Sequence, residues 1–421
     1  MADESREFRA PRGTYDLLPP ESSRWRALIN LALEMFAEAG YELIETPMFE
    51  HTEVFERGVG STSDVVTKQM YTFVDRGGRS LTLRPELTAG VVRAVLEHNL
   101  HRSSLPVKLS YAGALFRQER PQRGRYRQFW QVGIEALGSA DPRVDAEVLE
   151  IGNRFLRAAG ATTTLLMNSI GHADPSCRLG YNKVLREFLQ ANAARLDPGD
   201  RDRVDTNPLR TFDSKEEHTI EVMREAPLIP DYICDDCRRH FEAVQQLLKR
   251  TGVDFELEPR LVRGLDYYTR TTFEFKAEGL GTQDTVLGGG RYDGLSEALG
   301  GPPLPAIGFS SGIDRVLLAS EGLSDVRATG VHVYVVAVGD DARSAAFELA
   351  TQLRRVGVGA DLDLVGRGLR GQMKDAARSG ARWAAILGDE ELSSGDVTLR
   401  DLASGDQERF PIEQITGRVA T

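Results

Sequence analysis

Cysteine is scarce in this chain: three residues in 421, at positions 177, 234 and 237. So small and odd a number argues against a disulfide framework and fits a reducing compartment. Long apolar runs are missing as well. No stretch approaches the ~20 consecutive apolar residues of a membrane helix. The start, Met-Ala-Asp-Glu-Ser-Arg-Glu, is polar and mixed in charge, unlike a secretory leader. A cytoplasmic protein without membrane contact is expected. Positive charge is in deficit, with 52 Lys and Arg against 63 Asp and Glu and a net charge of −11. That balance weighs against a surface that is basic throughout, although net charge describes the global field and not the local one. No G-x-x-x-x-G-K-[ST] pattern occurs, so any nucleotide is held by other means than a P-loop.

What remains is the composition of an ordinary globular protein, 41% hydrophobic and 27% charged. A chain of this length divides into two or three domains. Residues 21–39 have helical spacing, with Trp25, Leu28, Ile29, Ala32, Leu33 and Phe36 on one stripe. An extended run at 41–50 carries Pro47, as a strand end or edge allows. Residues 108–138 read as two strands around a turn-rich loop, and 145–159 as a helix. From 169 to 258 the pattern is helical, polar and loop-broken, which suggests an insertion. Strand-like sequence returns at 261–275, and 321–329 reads as a linker. Beyond it, strands at 331–338, 360–365 and 383–387 alternate with helices at 342–356 and 369–379. That order predicts a small α/β domain with a mostly parallel sheet.

Several patterns carry candidate chemistry. Five arginines (117, 120, 123, 125 and 127) stand against the single acid Glu119 in one loop. Such a loop is a phosphate grip or simply a solvated charged turn. On the following strand, period two puts Arg127, Phe129, Gln131, Gly133 and Glu135 on one face, with a recess expected at Gly133 between two polar walls. Arg263-Gly264-Leu265-Asp266-Tyr267-Tyr268 sets a fixed cation beside two tyrosines, and 288–294 reads as a glycine-rich turn that lets a ligand approach backbone. Two further patterns carry less. Gly366, Gly368 and Gly371 match G-x-G-x-x-G with Asp389 downstream, but the strand before them is not the first of its unit; a turn with a helix cap is expected. Cys234 and Cys237 with His240 make half a zinc pattern. His172 and Cys177 are far away in sequence, and a metal-free cysteine pair at a helix start is expected.

These residues, in this order, resemble a class II aminoacyl-tRNA synthetase and specifically the bacterial histidyl-tRNA synthetase family, nearly end to end from Arg12-Gly13-Thr14-Tyr15-Asp16. The run at 41–50 looks like the first class II motif, Phe116-Arg117-Gln118-Glu119 with its loop like the second, and 308–315 like the third. The 261–268 and 289–294 runs look like the histidine-specific signatures. The resemblance implies an α+β fold: an antiparallel sheet with flanking helices, a helical insertion and a C-terminal α/β anticodon-binding domain. The corresponding division is a catalytic domain in two parts, 1–168 and 259–325, an insertion at 169–258 and an anticodon-binding domain at 326–421. It implies ligation of histidine to tRNA(His) through histidyl-adenylate, with ATP as substrate, Mg²⁺ on its phosphates, and a homodimer built by the first motif. By the same resemblance Glu86, Leu87 and Thr88 border the α-amino group, and Gln131, Glu135, Tyr267 and Tyr268 line the side-chain pocket. Arg263 touches carboxylate and α-phosphate, and Arg117 and Gln131 join it in catalysis. Arg117, Glu119, Arg125, Tyr126 and Arg315 hold ATP, Gln122 and Arg123 face the tRNA acceptor end, and no metal ligands are expected.

The chain departs from the family pattern at Leu87, at the bulky Trp130, which parity turns away from Gln131, and at Ser310 and Ser311. The alternative is a non-catalytic regulatory subunit of ATP phosphoribosyltransferase, a paralogue of the same fold. Intact Arg117, Arg263 and Arg315, and the α/β segment after the linker, argue against it.

Overall fold

The computed structural model describes residues 8–60, 63, 65–280, 284–320 and 330–419. The expected linker at 321–329 lies outside them. Contacts divide the chain into two compact units, Met1–Ser324 and Asp325–Thr421.

The first unit is built on an eight-stranded sheet. Its strands run Glu42–Leu43, Val107–Phe116, Gln128–Leu137, Ala306–Gly312, Thr285–Arg291, Thr269–Ala277, Thr163–Ser169 and Glu256–Leu257. The six central strands are antiparallel, and only the short outermost ones join in parallel. Helix Glu21–Glu38 covers one face. Its buried stripe is Trp25, Leu28, Ile29, Ala32, Met35 and Phe36, so Met35 takes the place expected for Leu33. Phe36 meets Phe155 of helix Pro142–Ala158 and Phe309 of the sheet at ring distances of 5.8 and 5.7 Å. Helix Pro142–Ala158 begins with the Asp141 carboxylate accepting the Arg143 amide N–H and a proline in the first turn. A small antiparallel sheet (Phe49–His51, Ser80–Leu83, Tyr71–Val74) stands beside the large one.

The segment after Ser169 is helical, with helices Arg178–Ala191, Glu217–Arg224 and Asp235–Thr251. Its core around Tyr181, Leu185 and Met223 also takes in Val262 and Tyr268. A buried ion network fastens it to the sheet. Asp145 and Arg291 are fully buried, Arg291 forks onto Asp145, and His240 Nε2 lies 3.0 Å from the same carboxylate. Burial penalises the Asp145 charge, but the His240 hydrogen bond and the Arg291 charge outweigh it and hold its pKa below the ordinary value.

Two expectations change here. Residues 261–268 are an irregular loop, and the strand begins only at Thr269. The loop's backbone is held from outside the sheet: the Asp266 amide donates to Val59 O at 3.2 Å, and the guanidinium groups of Arg210 and Arg178 donate to the carbonyls of Gly264 and Tyr268. The glycine run at 288–290 is strand and not turn. Its glycines serve close approach: a Cβ on Gly288 would stand 2.5–2.7 Å from the Arg263 guanidinium, and one on Gly289 would strike the Gly308 carbonyl of the neighbouring strand and stand 2.8 Å from the Phe273 ring.

The second unit has a five-stranded sheet ordered Ala360–Leu362, Val333–Ala337, Trp383–Leu387, Asp396–Asp401 and Gln407–Pro411, the first three strands parallel. Val333 and Val335 face helix Asp340–Arg355, while Tyr334 and Val336 face helix Leu369–Arg378. Cover on both faces explains the continuous β-branched run of the central strand. The G-x-G-x-x-G segment is the expected turn and cap: Gly366 has φ +79°, Gly368 caps helix Leu369–Arg378, and Arg367 is held by Asp363 and Asp375 at 3.1 and 3.2 Å.

Candidate active site

A cavity of about 600 Å³ opens on the face of the large sheet opposite its covering helix, a volume suited to a small-molecule ligand. Its wall takes in Glu86, Leu87, Thr88, Arg117, Glu119, Arg125, Tyr126, Gln131, Glu135, Arg263, Tyr267, Tyr268 and Arg315. These residues are dispersed over more than half of the chain, and the antiparallel order of the sheet gathers them. Gln122 and Arg123 are outside the wall, exposed on the loop turn where Gln122 pairs with Arg125.

At one end the wall is cationic. Arg117, Arg125, Arg263 and Arg315 border the same space. Each has structural partners: Arg117 Nε donates to Pro85 O at 2.8 Å, Arg315 Nη1 donates to Thr285 O at 2.8 Å, Arg125 pairs with Glu119, and Arg263 pairs with Glu274. Burial, then Arg315 and Arg117, push Arg125 down to about 10. Burial and Arg117 likewise lower Arg315. Guanidinium groups that depress one another's protonation form a receptor short of negative charge, and an incoming polyanion relieves that repulsion. Of the five loop arginines only 120 and 123 are exposed; 117, 125 and 127 turn inward. Arg127 ties the N-terminal segment to the loop, its amide donating to Gly13 O at 2.7 Å. Tyr15 of the same segment hydrogen-bonds Asp314 and lies 4.6 Å from the Tyr126 ring.

At the other end the wall is a buried acid with its hydroxyl donors. Glu135 is 1% exposed. Its Oε1 accepts from Thr88 Oγ1 at 2.7 Å and Tyr111 OH at 3.1 Å, and its Oε2 accepts from Tyr292 OH at 2.5 Å. Desolvation outweighs these hydrogen bonds and pushes the Glu135 pKa up to about 8. Glu86 is also buried, which raises its pKa. Its oxygens accept the amides of Thr88 and Ala89 at 2.7 and 2.9 Å, so it caps helix Thr88–Glu97. Gln131 stands across from Gly113 and Gly312 on the neighbouring strands, and the space beside these glycines is taken by the side chains of Arg84 and Arg315.

The expected recess at Gly133 is corrected. Tyr111 lies directly across from Gly133, and a Cβ there would meet the phenol ring and hydroxyl at 2.5 Å. The missing side chain makes space for Tyr111, not for a ligand. Gly308, opposite Glu135, similarly makes space for that carboxylate. Trp130 packs edge-on against Trp25 of the first helix at 4.8 Å and also borders the cavity. Leu87 is buried in the core beneath the site.

Sequence reasoning missed Tyr111, Tyr292 and Glu274, together with Asp213 and Lys215, which the helical segment contributes to the wall. A glycine facing an aromatic residue across two strands is the signal that marks Tyr111. It also missed the true surroundings of the cysteine pair. His240 is engaged by Asp145 and not by the cysteines, whereas His172 and Cys177 stand next to Cys234 and Cys237.

A family model described as histidyl-tRNA synthetase matches residues 13–316, and one described as anticodon binding domain matches 332–421. The histidine–tRNA ligase of Moorella thermoacetica is 50% identical over 408 residues, 96% of each chain. That of Halothermothrix orenii is 47% identical over 404 residues, 95% of this chain and 96% of its own. The structure of apo S. aureus histidyl-tRNA synthetase matches with TM-score 0.83 and 35% identity, covering 99% of this chain and 100% of that one. A match this long, to both family models and to relatives over nearly their whole length, is not a local motif, and the chain belongs to the histidyl-tRNA synthetase family.

Proposed function

We propose that the chain activates L-histidine with ATP to histidyl-adenylate and pyrophosphate, then transfers histidine to the 3′ end of tRNA(His). The observation that carries this reading is the division of one cavity into a cluster of arginines and a buried Glu135–hydroxyl pocket. The first suits a triphosphate and a carboxylate, the second an imidazole.

In the first step a histidine carboxylate oxygen attacks the α-phosphorus, and the bond to pyrophosphate breaks. Two anions must meet, so the barrier is electrostatic and positional. Arg117 and Arg263 stabilise the charge on the pentavalent phosphorus, and Arg315 and Arg125 hold the outer phosphates. Glu119 and Tyr126 border the nucleotide. Gln131, Glu135, Tyr267 and Tyr268 read the imidazole, whose ring offers one donor and one acceptor. Glu86 and Thr88 receive the ammonium, with Leu87 packed beneath. Among the described residues no three carboxylates converge in this cavity. Mg²⁺ fits as an ion carried by the phosphates, with carboxylates such as Asp284 and Glu274 available on the wall. It would supply charge neutralisation there. In the second step the terminal ribose hydroxyl of the tRNA attacks the activated carbonyl and AMP leaves. Exposed Gln122 and Arg123 meet the acceptor end.

The reading includes a cytoplasmic homodimer. Leu43, Met48, Phe49, Phe73 and Val74, 44–68% exposed, supply apolar surface on the edge strand and the small sheet, as a subunit interface would.

The test is histidine-dependent ATP–pyrophosphate exchange, run with each of the twenty amino acids. Exchange is expected with histidine alone, and Arg263→Ala should lower it by roughly 10²–10³-fold. A folded protein that binds histidine but exchanges with no amino acid would instead be the regulatory paralogue.

A further inference from the structure

Away from the cavity, the loop after strand Thr163–Ser169 meets the start of helix Asp235–Thr251. There the Nδ1 of His172 and the sulfurs of Cys177, Cys234 and Cys237 all lie within 4.8 Å of one another. The sulfurs of Cys177 and Cys237 are 3.8 Å apart, and His172 Nδ1 is 3.7 Å from Cys234 Sγ and 2.9 Å from Cys237 Sγ. The 3.8 and 3.7 Å spacings match the ligand–ligand edges of about 3.5–3.8 Å of a tetrahedral zinc with Zn–S near 2.3 Å and Zn–N near 2.0 Å, while the 2.9 Å contact is a hydrogen bond that the ion would replace. We propose that these four residues form a structural Cys₃His site for a zinc-class divalent ion.

Three further observations carry the assignment. The amide of Cys234 donates to Cys177 Sγ at 3.4 Å and that of Cys237 to Cys234 Sγ at 3.5 Å. Directed N–H···S bonds of this kind stabilise thiolates, as does the positive end of the 17-residue helix that Cys234 caps. Gly171 has φ +65°, and any Cβ there would strike the Cys177 sulfur, so the loop is shaped to bring that sulfur in. Finally, a ring nitrogen pointed into a group of sulfurs is not what apolar cysteine packing produces. Three soft thiolates and an imidazole select zinc over harder ions, and four protein ligands leave no open position for catalysis.

The site fastens the helical segment to the sheet. Residues at both ends of the His172 loop reach the cavity wall's support: Arg270 donates its amide to Gly171 O at 2.8 Å, and Arg178, next to Cys177, hydrogen-bonds the carbonyl of Tyr268. The ion thus holds the rear of the 261–268 loop without touching substrate.

The test is metal analysis of the full chain, purified under reducing conditions without added metal. One zinc per chain is expected. After chelation, cobalt(II) alone should give thiolate-to-metal charge-transfer bands and the intense visible spectrum of a tetrahedral ion. Cys177→Ser and Cys234→Ser should lose the zinc, and His172→Cys should keep it while shifting the cobalt bands, a change that a packing role would not produce. A folded wild-type chain with no zinc, and with cobalt showing only its pale octahedral spectrum, would overturn the proposal. So would thiol counting that finds a disulfide among the three cysteines.

Discussion

Glu135 sits in a shell of three hydroxyl donors, yet its pKa is about 8, because burial costs the carboxylate more than those donors return. The sign follows directly. With its pKa raised, the residue is protonated in the empty pocket at neutral pH and becomes a carboxylate as pH rises through about 8. Only the carboxylate accepts an imidazole N–H at full strength, so kcat/KM for histidine should climb with pH and level off above that value. Glu135→Gln should flatten this limb and raise KM for histidine by about 10–100-fold, the worth of one charged hydrogen bond, while KM for ATP stays nearly unchanged. A pH profile of exchange at limiting histidine makes the check; equal losses toward histidine and ATP would remove Glu135 from the pocket. At this scale the sequence was half legible. Glu135 and Gln131 stand out because polar side chains on a sheet face need a purpose, and Arg263 because it belongs to a run that resembles a histidine-specific signature. Tyr111, Tyr292 and Glu274 do not, since what makes them partners is strand register, and alternation along one strand says nothing of its neighbour.

Among the elements, strand Thr285–Arg291 shows how backbone serves the site. Three consecutive glycines weaken a strand, and composition alone suggests a turn. In the sheet, Gly288 gives its space to the Arg263 guanidinium. A methyl group there must push the guanidinium off its position beside Glu274, while the strand's own φ at this residue tolerates alanine. Gly288→Ala is therefore expected to lower histidine-dependent exchange by about 100-fold, the usual result of misplacing a catalytic group by an ångström. The melting temperature should fall by only a few degrees, as for an ordinary single substitution. Parallel melting and exchange measurements separate the two; a loss of folding that matches the loss of activity would mean that the glycine serves the core. The helices were the most legible elements, because a buried stripe repeats every turn. The 261–268 loop was the least, since its shape depends on Arg210, Arg178 and Val59, none of which adjoins it in sequence.

At the scale of the whole molecule, the two compact units match two different family models, one described as histidyl-tRNA synthetase and one as anticodon binding domain. Among the described residues the cavity wall draws on positions between 65 and 315, whereas the cores of the second sheet draw on residues 331–419. The alternation of strand and helix beyond residue 330 made this second unit readable in outline, because a parallel sheet covered on both faces writes itself as apolar runs separated by amphipathic helices. On the proposed function, adenylate formation would draw on the first unit alone, and selection of the correct tRNA would draw on the second unit besides the acceptor-end contacts of Gln122 and Arg123. A chain ending at residue 320 should therefore fold and retain histidine-dependent exchange close to the full-length rate. Its kcat/KM for tRNA(His) should drop by about 100-fold or more, equivalent to losing roughly 3 kcal/mol of binding. Exchange and tRNA charging measured on the same truncated preparation decide the matter. Charging that survives truncation would put tRNA selection in the catalytic unit, around the exposed loop that carries Gln122 and Arg123. If both reactions fail in a folded protein, the second unit instead helps to shape the catalytic cavity.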